Sequence, residues 1–274
     1  MKRIISSIIA ISILLSTALL ASCNSNIPNS ESSKTENKPN NTPHSDNTPA
    51  EKYTENLKYK LLEDGTYEVS IGGATNDESI VIPPKYSDTP ITRIAEDGFK
   101  NATKLKSIKL PDSITSIGFA AFAYCDSLES INIPNGVTVL EQSTFYGCKS
   151  LVAITIPESI TNIKKLAFYG CGIKTIELPD GLTNIDSKVF YKCESLEWIV
   201  IPSNVSIIGD EVFRGCVNLR YAVFPVSLTK IGLYVFESCD KFETVKYVGS
   251  TEQYDKIKWT DKHKLPVTFN FIVE

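Results

Sequence analysis

The stretch "SIGFAAFAYCDSLESINIP", Ser116–Pro134, decides the fold, because its skeleton returns along the chain. The stretch "IPNGVTVLEQSTFYGCKSLVAITIP", Ile133–Pro157, carries Phe, Cys and Pro at the same intervals. Phe stands at 99, 122, 145, 168, 190, 213 and 236, in steps of 23, 23, 23, 22, 23 and 23. Cys stands at 125, 148, 171, 193, 216 and 239, and Pro at 83, 111, 134, 157, 179, 202 and 225. A fixed period of this length is the signature of stacked repeats. The single 22-residue Phe step falls where "CGIKTI" replaces "CKSLVAI". The one long Pro step, 28 residues, holds an inserted loop, "PPKYSDTP", around Tyr86.

The unit reads C-x-x-L-x-x-I-x-I-P-x-x-I-T-x-I-x-x-x-A-F-x-x. In "LESINIP", Ile131 and Ile133 alternate with Ser130 and Asn132, which is strand period with one face apolar. Pro134 ends the strand because it has no N–H to donate. Ile114 and Ile117 point inward from the return path. Ala121, Phe122 and Cys125, at i, i+1 and i+4, predict one face of a helical turn. Such a coil cannot bury its own apolar face, so neighbours stack and share a core.

The L-x-x-I-x-I-P, I-x-x-I and A-F-x-x-C blocks resemble the leucine-rich repeats of BspA-like (Treponema-type) bacterial surface lipoproteins. The resemblance spans Ile80 to about Tyr247. It implies an α/β-type repeat solenoid of about seven coils of 22–23 residues, with a parallel β-sheet on one face and short helical turns and strands on the return. "LKYKLLEDGTYEVS", Leu57–Ser70, resembles the family's N-terminal hairpin, with Glu63-Asp64-Gly65 as its turn signal. "YVGSTEQYDKI", Tyr247–Ile257, resembles its C-terminal cap. There Ser250 and Gln253 have capping-box spacing, and Tyr254 and Ile257 form the apolar face of a short helix.

The front end reads as an address. Lys2 and Arg3 precede an apolar run, Ile4–Ala21, and then "LASC", Leu20–Cys23. This resembles the bacterial lipobox and implies cleavage before Cys23 and lipid on it. The alternative is an uncleaved membrane helix, for which an 18-residue segment is of borderline length. Asn24–Lys52 has one Ile and no aromatic residue, too little apolar surface to offset chain entropy. It is a tether of 29 residues, with a flexible-coil span of roughly 30 Å. The expected organisation is a signal peptide (1–22), lipidated Cys and tether (23–52), N-terminal β cap (53–79), solenoid (80–247) and C-terminal cap (248–274). The location it implies is extracytoplasmic, lipid-anchored to a membrane at the cell surface.

The formal charge of −4 becomes about −5 for residues 53–274 once Lys2, Arg3 and the tether (four acids, three lysines) are set aside. No basic field is present for nucleic acid. One Cys per coil in an exported protein raises the question of disulfides, since stacked positions lie within bridging range. Ala102 holds the Cys position in the first coil, so the site asks for a small buried group, and free Cys packs as one. Neither of the two histidines, His44 and His263, falls at a repeat position, and no catalytic, phosphate-binding or Ca²⁺ motif is present. No enzyme activity, cofactor or metal is expected.

Function then falls to strand positions that point outward. From Ser107 and Lys109 to Thr244 and Lys246 most are small or polar. Two adjacent coils break this habit with Trp198 and Val200, then Tyr221 and Val223. An exposed aromatic pair with flanking Val has the composition of a binding hot spot. The alternative is that the C-terminal cap folds over these four residues. The family resemblance implies an adhesin, a tethered module binding an extracellular or host protein. A glycan-capturing lipoprotein and a structural envelope scaffold are the competing readings.

Overall fold

The structure is a computed structural model that describes residues 52–260 and 268–272. The signal segment, Cys23, the tether as far as Glu51, and His263 lie outside the described residues. In chain order the strands begin with β1 (Lys58–Leu61), β2 (Tyr67–Ser70), β3 (Ser79–Val81), β4 (Lys85–Tyr86), β5 (Thr89–Ile94) and β6 (Ser107–Lys109). There follow β7 (Ser116–Ile117), β8 (Ser130–Ile131), β9 (Val139–Leu140), β10 (Asn162–Ile163), β11 (Asn184–Ile185) and β12 (Trp198–Val200). The chain closes with β13 (Ile207–Ile208), β14 (Tyr221–Phe224), β15 (Lys230–Ile231), β16 (Thr244–Val248), helix α1 (Thr251–Tyr254), β17 (Lys258–Trp259) and β18 (Thr268–Ile272).

These strands form two parallel rows. The front row runs β3-β6-β8 and then β12-β14-β16-β18. The return row runs β2-β5-β7, β9-β10 and β11-β13-β15-β17. Between β8 and β12 the front row continues through residues 153–155 and 175–177 without a regular ladder. Its register is kept by Lys174 N–H to the Val152 carbonyl (3.1 Å) and Glu197 N–H to the Lys174 carbonyl (3.0 Å). Just before this gap, the Asn132 side-chain amide replaces a backbone partner. Its Oδ1 accepts from Leu110 N–H and its Nδ2 donates to the Leu110 carbonyl, both at 2.8 Å.

The solenoid thus has about nine turns, more than the seven expected. The extra rungs come from segments that lack the repeat's residues. β2 leaves its antiparallel hairpin with β1 and also pairs in parallel with β5. At the other end β17 and β18 pair in parallel with β15 and β16. Parallel pairing needs only backbone in register, so the Phe and Cys that announce a coil are not required for a rung.

The expected helical turns are absent. Around Phe122 the backbone N–H groups alternate in direction. Those of Ala121, Ala123 and Cys125 close local turns onto Gly118, Ala120 and Phe122. Those of Ala120, Phe122 and Tyr124 reach Gln142, Thr144 and Tyr146 on the next coil. Ala120 (φ 49°) and Tyr124 (φ 61°) are left-handed, and the equivalent residues two before and two after each repeat Phe have positive φ in every coil. A right-handed helix of L-residues cannot pass through such points. The segment is a chain of β-turns that ties coil to coil.

Inside these turns the repeat Phe rings stack in one ladder from Phe99 to Phe236, with centroids 5.5–5.8 Å apart. All are buried. Beside them lie the six repeat thiols, free and buried. Each donates to the carbonyl of the Phe one coil earlier: Cys125 to Phe99 (3.1 Å), Cys171 to Phe145 (3.0 Å), and so on to Cys239 and Phe213 (3.0 Å). Cys is therefore more than a small apolar group here. Ala102 takes its place in the first Phe-bearing coil, where no repeat Phe stands one coil earlier.

Both ends are closed by local chemistry. The hairpin turn falls on Glu63-Asp64-Gly65 as expected, with Gly65 at φ 80°. The inserted loop forms the tight β4–β5 hairpin, and Tyr86 stacks on Tyr59 at 4.1 Å. At the C-terminal end Ser250 caps α1 in a complete capping box with Gln253, and Tyr254 and Ile257 are buried.

Candidate functional site

β12 and β14 pair in register, so Trp198 lies beside Tyr221 and Val200 beside Val223. The alternating strand sends Ile199 and Ala222 into the core and turns these four the other way. The Trp198 and Tyr221 rings stack almost parallel, 7° apart in plane, with centroids 6.4 Å apart. Lys246 Nζ lies 4.2 Å from the Tyr221 centroid.

Trp198, Val200 and Tyr221 are partly exposed. Val223 is not: only 7% of it is accessible, against the sequence expectation of an outward, open position. Lys246 explains the difference. It stands opposite Val223 on β16, yet its ammonium reaches Tyr221. Its aliphatic stem starts beside Val223 and ends over the Tyr221 ring, the kind of path by which long cationic side chains cover apolar surface. The described part of the C-terminal cap does not fold over the patch. β18 extends the front row beyond β16, so its strand lies in the sheet and not across it.

A charge rail borders the patch. The residue before each outward position reads Glu78, Lys106, Glu129, Val152, Lys174, Glu197, Arg220 and Glu243 along the stack. Glu78 and Lys106 form an ion pair at 2.7 Å, and Glu78 with Glu129 raises the Lys106 pKa. Backbone bonds join Lys106 to Glu78 and Glu129 to Lys106, and then link Lys174, Glu197, Arg220 and Glu243 rung by rung. Opposite signs across neighbouring strands are favourable and like signs are not. The rail is therefore a register device that neutralises itself, broken at exposed Val152. Lys174, Ser195, Glu197, Asn218 and Arg220 line an open depression along it.

The sequence reading missed a second aromatic row. Tyr124, Tyr146, Tyr169 and Tyr191 line up along the turns, with centroids 5.1, 4.3 and 5.0 Å apart; the last three rings stack and Tyr124 is tilted 58° from Tyr146. Arg214 continues it, 5.9 Å from the Tyr191 ring and 5.8 Å from that of Tyr234. The signal was available as "FYGC", "FYGC" and "FYKC" in three successive coils. Its rings cover one another. Arg214 pairs with Glu211 and Glu237, and Lys188 with Glu211. Burial and the hydroxyls of Tyr169 and Tyr124 raise the Tyr146 pKa. This row spends its surface on itself.

Among the described residues no group of three or more His, Cys, Asp or Glu is placed to hold a metal. Burial favours the protonated, weakly nucleophilic thiol at five of the six repeat positions. Burial pushes Cys193 and Cys239 up to about 12, and Cys125, Cys171 and Cys216 rise for the same reason. Among the described residues no helix is long and apolar enough to cross a membrane.

The family profile described as the BspA type leucine rich repeat region matches residues 74–197 and 183–265, in six copies. A leucine-rich repeat protein of T. pallidum, TpLRR, has a similar fold, with a TM-score of 0.50 and 23% identity over 81% of this chain and 100% of that one. A leucine-rich repeat protein from Bacteroides ovatus ATCC 8483 gives a TM-score of 0.51 and 24% identity, over 81% of this chain and 78% of that one. No curated protein matches the chain.

Proposed function

Because this chain belongs to the BspA-type leucine-rich repeat family, we propose that it is a protein-binding module displayed at a cell surface. In this reading Cys23 carries the membrane anchor and residues 24–52 hold the solenoid off the bilayer, where it acts as an adhesin for a host or bacterial surface protein. Stable anchoring of this kind needs more than one acyl chain, which lipid on Cys23 together with its new amino end supplies.

One observation carries the reading. The Trp198–Tyr221 stack, with Val200 beside it, interrupts a front row built mostly of small or polar residues, and the described cap leaves it uncovered. Aromatic residues at the centre of a patch dominate protein interfaces. A solenoid also offers extended surface and not an enclosed pocket, which suits a macromolecular ligand better than a small substrate. Glycan capture is less favoured by the same geometry. Both faces of Tyr221 are engaged, one by Trp198 and one by Lys246, which leaves the Trp198 indole as the single ring of the patch with a face for a sugar.

The test is an array of extracellular proteins and glycans, probed with wild type and with Trp198→Ala/Tyr221→Ala. The reading expects protein ligands whose binding falls in the double variant while its melting temperature stays near that of wild type. Binding confined to glycans, or protein binding unchanged in the double variant, would overturn it.

A further inference from the structure

We propose that the front patch recognises a basic segment of its partner, with an arginine side chain lying on the open face of Trp198 and paired to Glu177. This rests on the patch being a binding surface, and it names the chemistry of what binds there.

The aromatic stack already holds one cation. At its C-terminal end the Lys246 ammonium sits 4.2 Å above the Tyr221 ring. The negative face of an aromatic ring attracts such a charge, and the larger indole attracts it more strongly. At the other end the stack stops. Glu197 N–H bonds the Lys174 carbonyl, which sets Trp198 opposite Thr175. The next outward residue beyond Thr175 is Ala153. Tyr221 is the only ring stacked on Trp198 among the described residues, and no cation of the described chain lies over it. One end of the stack thus carries a cation of its own chain, and the other end faces a row of small side chains.

A carboxylate stands beside this open end. Glu177 is two residues after Thr175, on the same face of the same coil, and it is exposed. Diagonal neighbours on a sheet lie roughly 7–8 Å apart, within reach of long side chains. Among the described residues no cation pairs with Glu177. The nearest cation in sequence, Lys174, belongs to the rail, where Glu197 is its neighbour of opposite sign on the next rung. An indole face next to an uncommitted carboxylate is the pair of features a guanidinium satisfies at once. It stacks as a plane and offers its N–H fork to the carboxylate. Lysine, a compact ammonium, neither stacks as a plane nor offers a two-pronged fork. An acidic ligand would meet the exposed Glu177 carboxylate beside the indole face. The charge of about −5 on residues 53–274 adds long-range attraction for a basic segment.

Fluorescein-labelled Gly-Ser peptides of one length, bearing three Arg, three Lys or three Glu, test this by anisotropy on the full-length chain. Titrations run at about 50 mM and about 150 mM salt, so that screening separates contact from general attraction. The Arg peptide is expected to bind more tightly than the Lys peptide, and the Glu peptide not at all. Trp198→Ala and Glu177→Gln should each weaken the Arg peptide about two- to fivefold, the worth of an exposed cation–π contact. Glu63→Gln, which removes the same charge at the far hairpin, should leave it unchanged. If Trp198→Ala melts early, Trp198→Phe replaces it and should retain part of the affinity. Equal effects of Glu177→Gln and Glu63→Gln, or no preference for Arg over Lys or over Glu, would overturn the inference. Should that happen while Trp198→Ala/Tyr221→Ala still abolishes array binding, the patch stands as a protein-binding surface and only its partner's chemistry is wrong.

Discussion

Phe168→Ala probes the ladder at its centre. Phe168 is fully buried, with Phe145 stacked at 5.5 Å on one side and Phe190 at 5.6 Å on the other. Emptying an aromatic core site costs about 3–5 kcal/mol from lost transfer energy and the residual cavity. Two ring stacks, each worth about 0.5–1.5 kcal/mol beyond burial, are lost with it and push the figure toward the upper end. The coils above and below cannot collapse into the gap, because β-turn N–H groups pin them to each other; Phe168 N–H itself bonds the Val189 carbonyl. For a folded unit of this size, 1 kcal/mol shifts the melting point by about 2–4 °C, so the expected loss is roughly 10 °C or more. Calorimetry reads the shift. Hydrogen exchange locates it, since a repeat array opens first where its neighbour contacts fail. A loss below about 1 kcal/mol, or unfolding that starts at an end and leaves the central coils as protected as in wild type, would refute the ladder as the core.

Three further outcomes follow from the same structure. The repeat thiols should react slowly with a thiol reagent in the native chain and readily in denaturant. Their ordinary pKa is 9.0 and burial raises Cys193 and Cys239 to about 12, so the unfolded chain loses these protons first. Stability should therefore be whole below pH 9 and fall as pH climbs toward 12, by up to about 1.4 kcal/mol per pH unit for each thiol; a flat urea midpoint across that window contradicts the buried thiol row. Gly172→Ala places a methyl against the Lys149 carbonyl oxygen and should destabilise by about 1–3 kcal/mol, whereas Gly73→Ala, which meets only ordinary contacts, should be nearly neutral in the same denaturation assay. Cys23→Ser should move the protein from the membrane fraction to the soluble fraction with its circular dichroism unchanged; continued membrane fractionation would point to residues 4–21 as an uncleaved span.

Much of the fold could be read from the chain, and what could not has identifiable causes. The 22–23-residue period fixed the stacking, the Phe core and the strand alternation, because each coil poses the same packing problem. The Glu63-Asp64-Gly65 turn and the Ser250–Gln253 box are local chemistry and lay where their residues put them. The turn around Phe122 was misread as helical. Buried residues at i, i+1 and i+4 suit a helical turn and a chain of β-turns equally, and side-chain pattern is blind to where the N–H groups point. The rungs β2, β17 and β18 were hidden because backbone pairing needs no repeat signature. The patch itself was legible as Trp198 and Tyr221 at outward positions. The burial of Val223 was not, since it depends on the path taken by a side chain from the next coil. The rail and the tyrosine row were both present as one residue per coil and were passed over.

The most direct test of the front patch is a hydroxyl-radical footprint of the complex with a protein ligand taken from the array. Two aromatic rows compete on this molecule, one on the front strands and one on the turns, and the footprint separates them. Oxidation of Trp198 and Tyr221 should fall on binding, while Tyr146, Tyr169 and Tyr191 oxidise at the rate of the free protein. Protection of the tyrosine row, with Trp198 and Tyr221 unchanged, would contradict the account and move the binding surface to the turns.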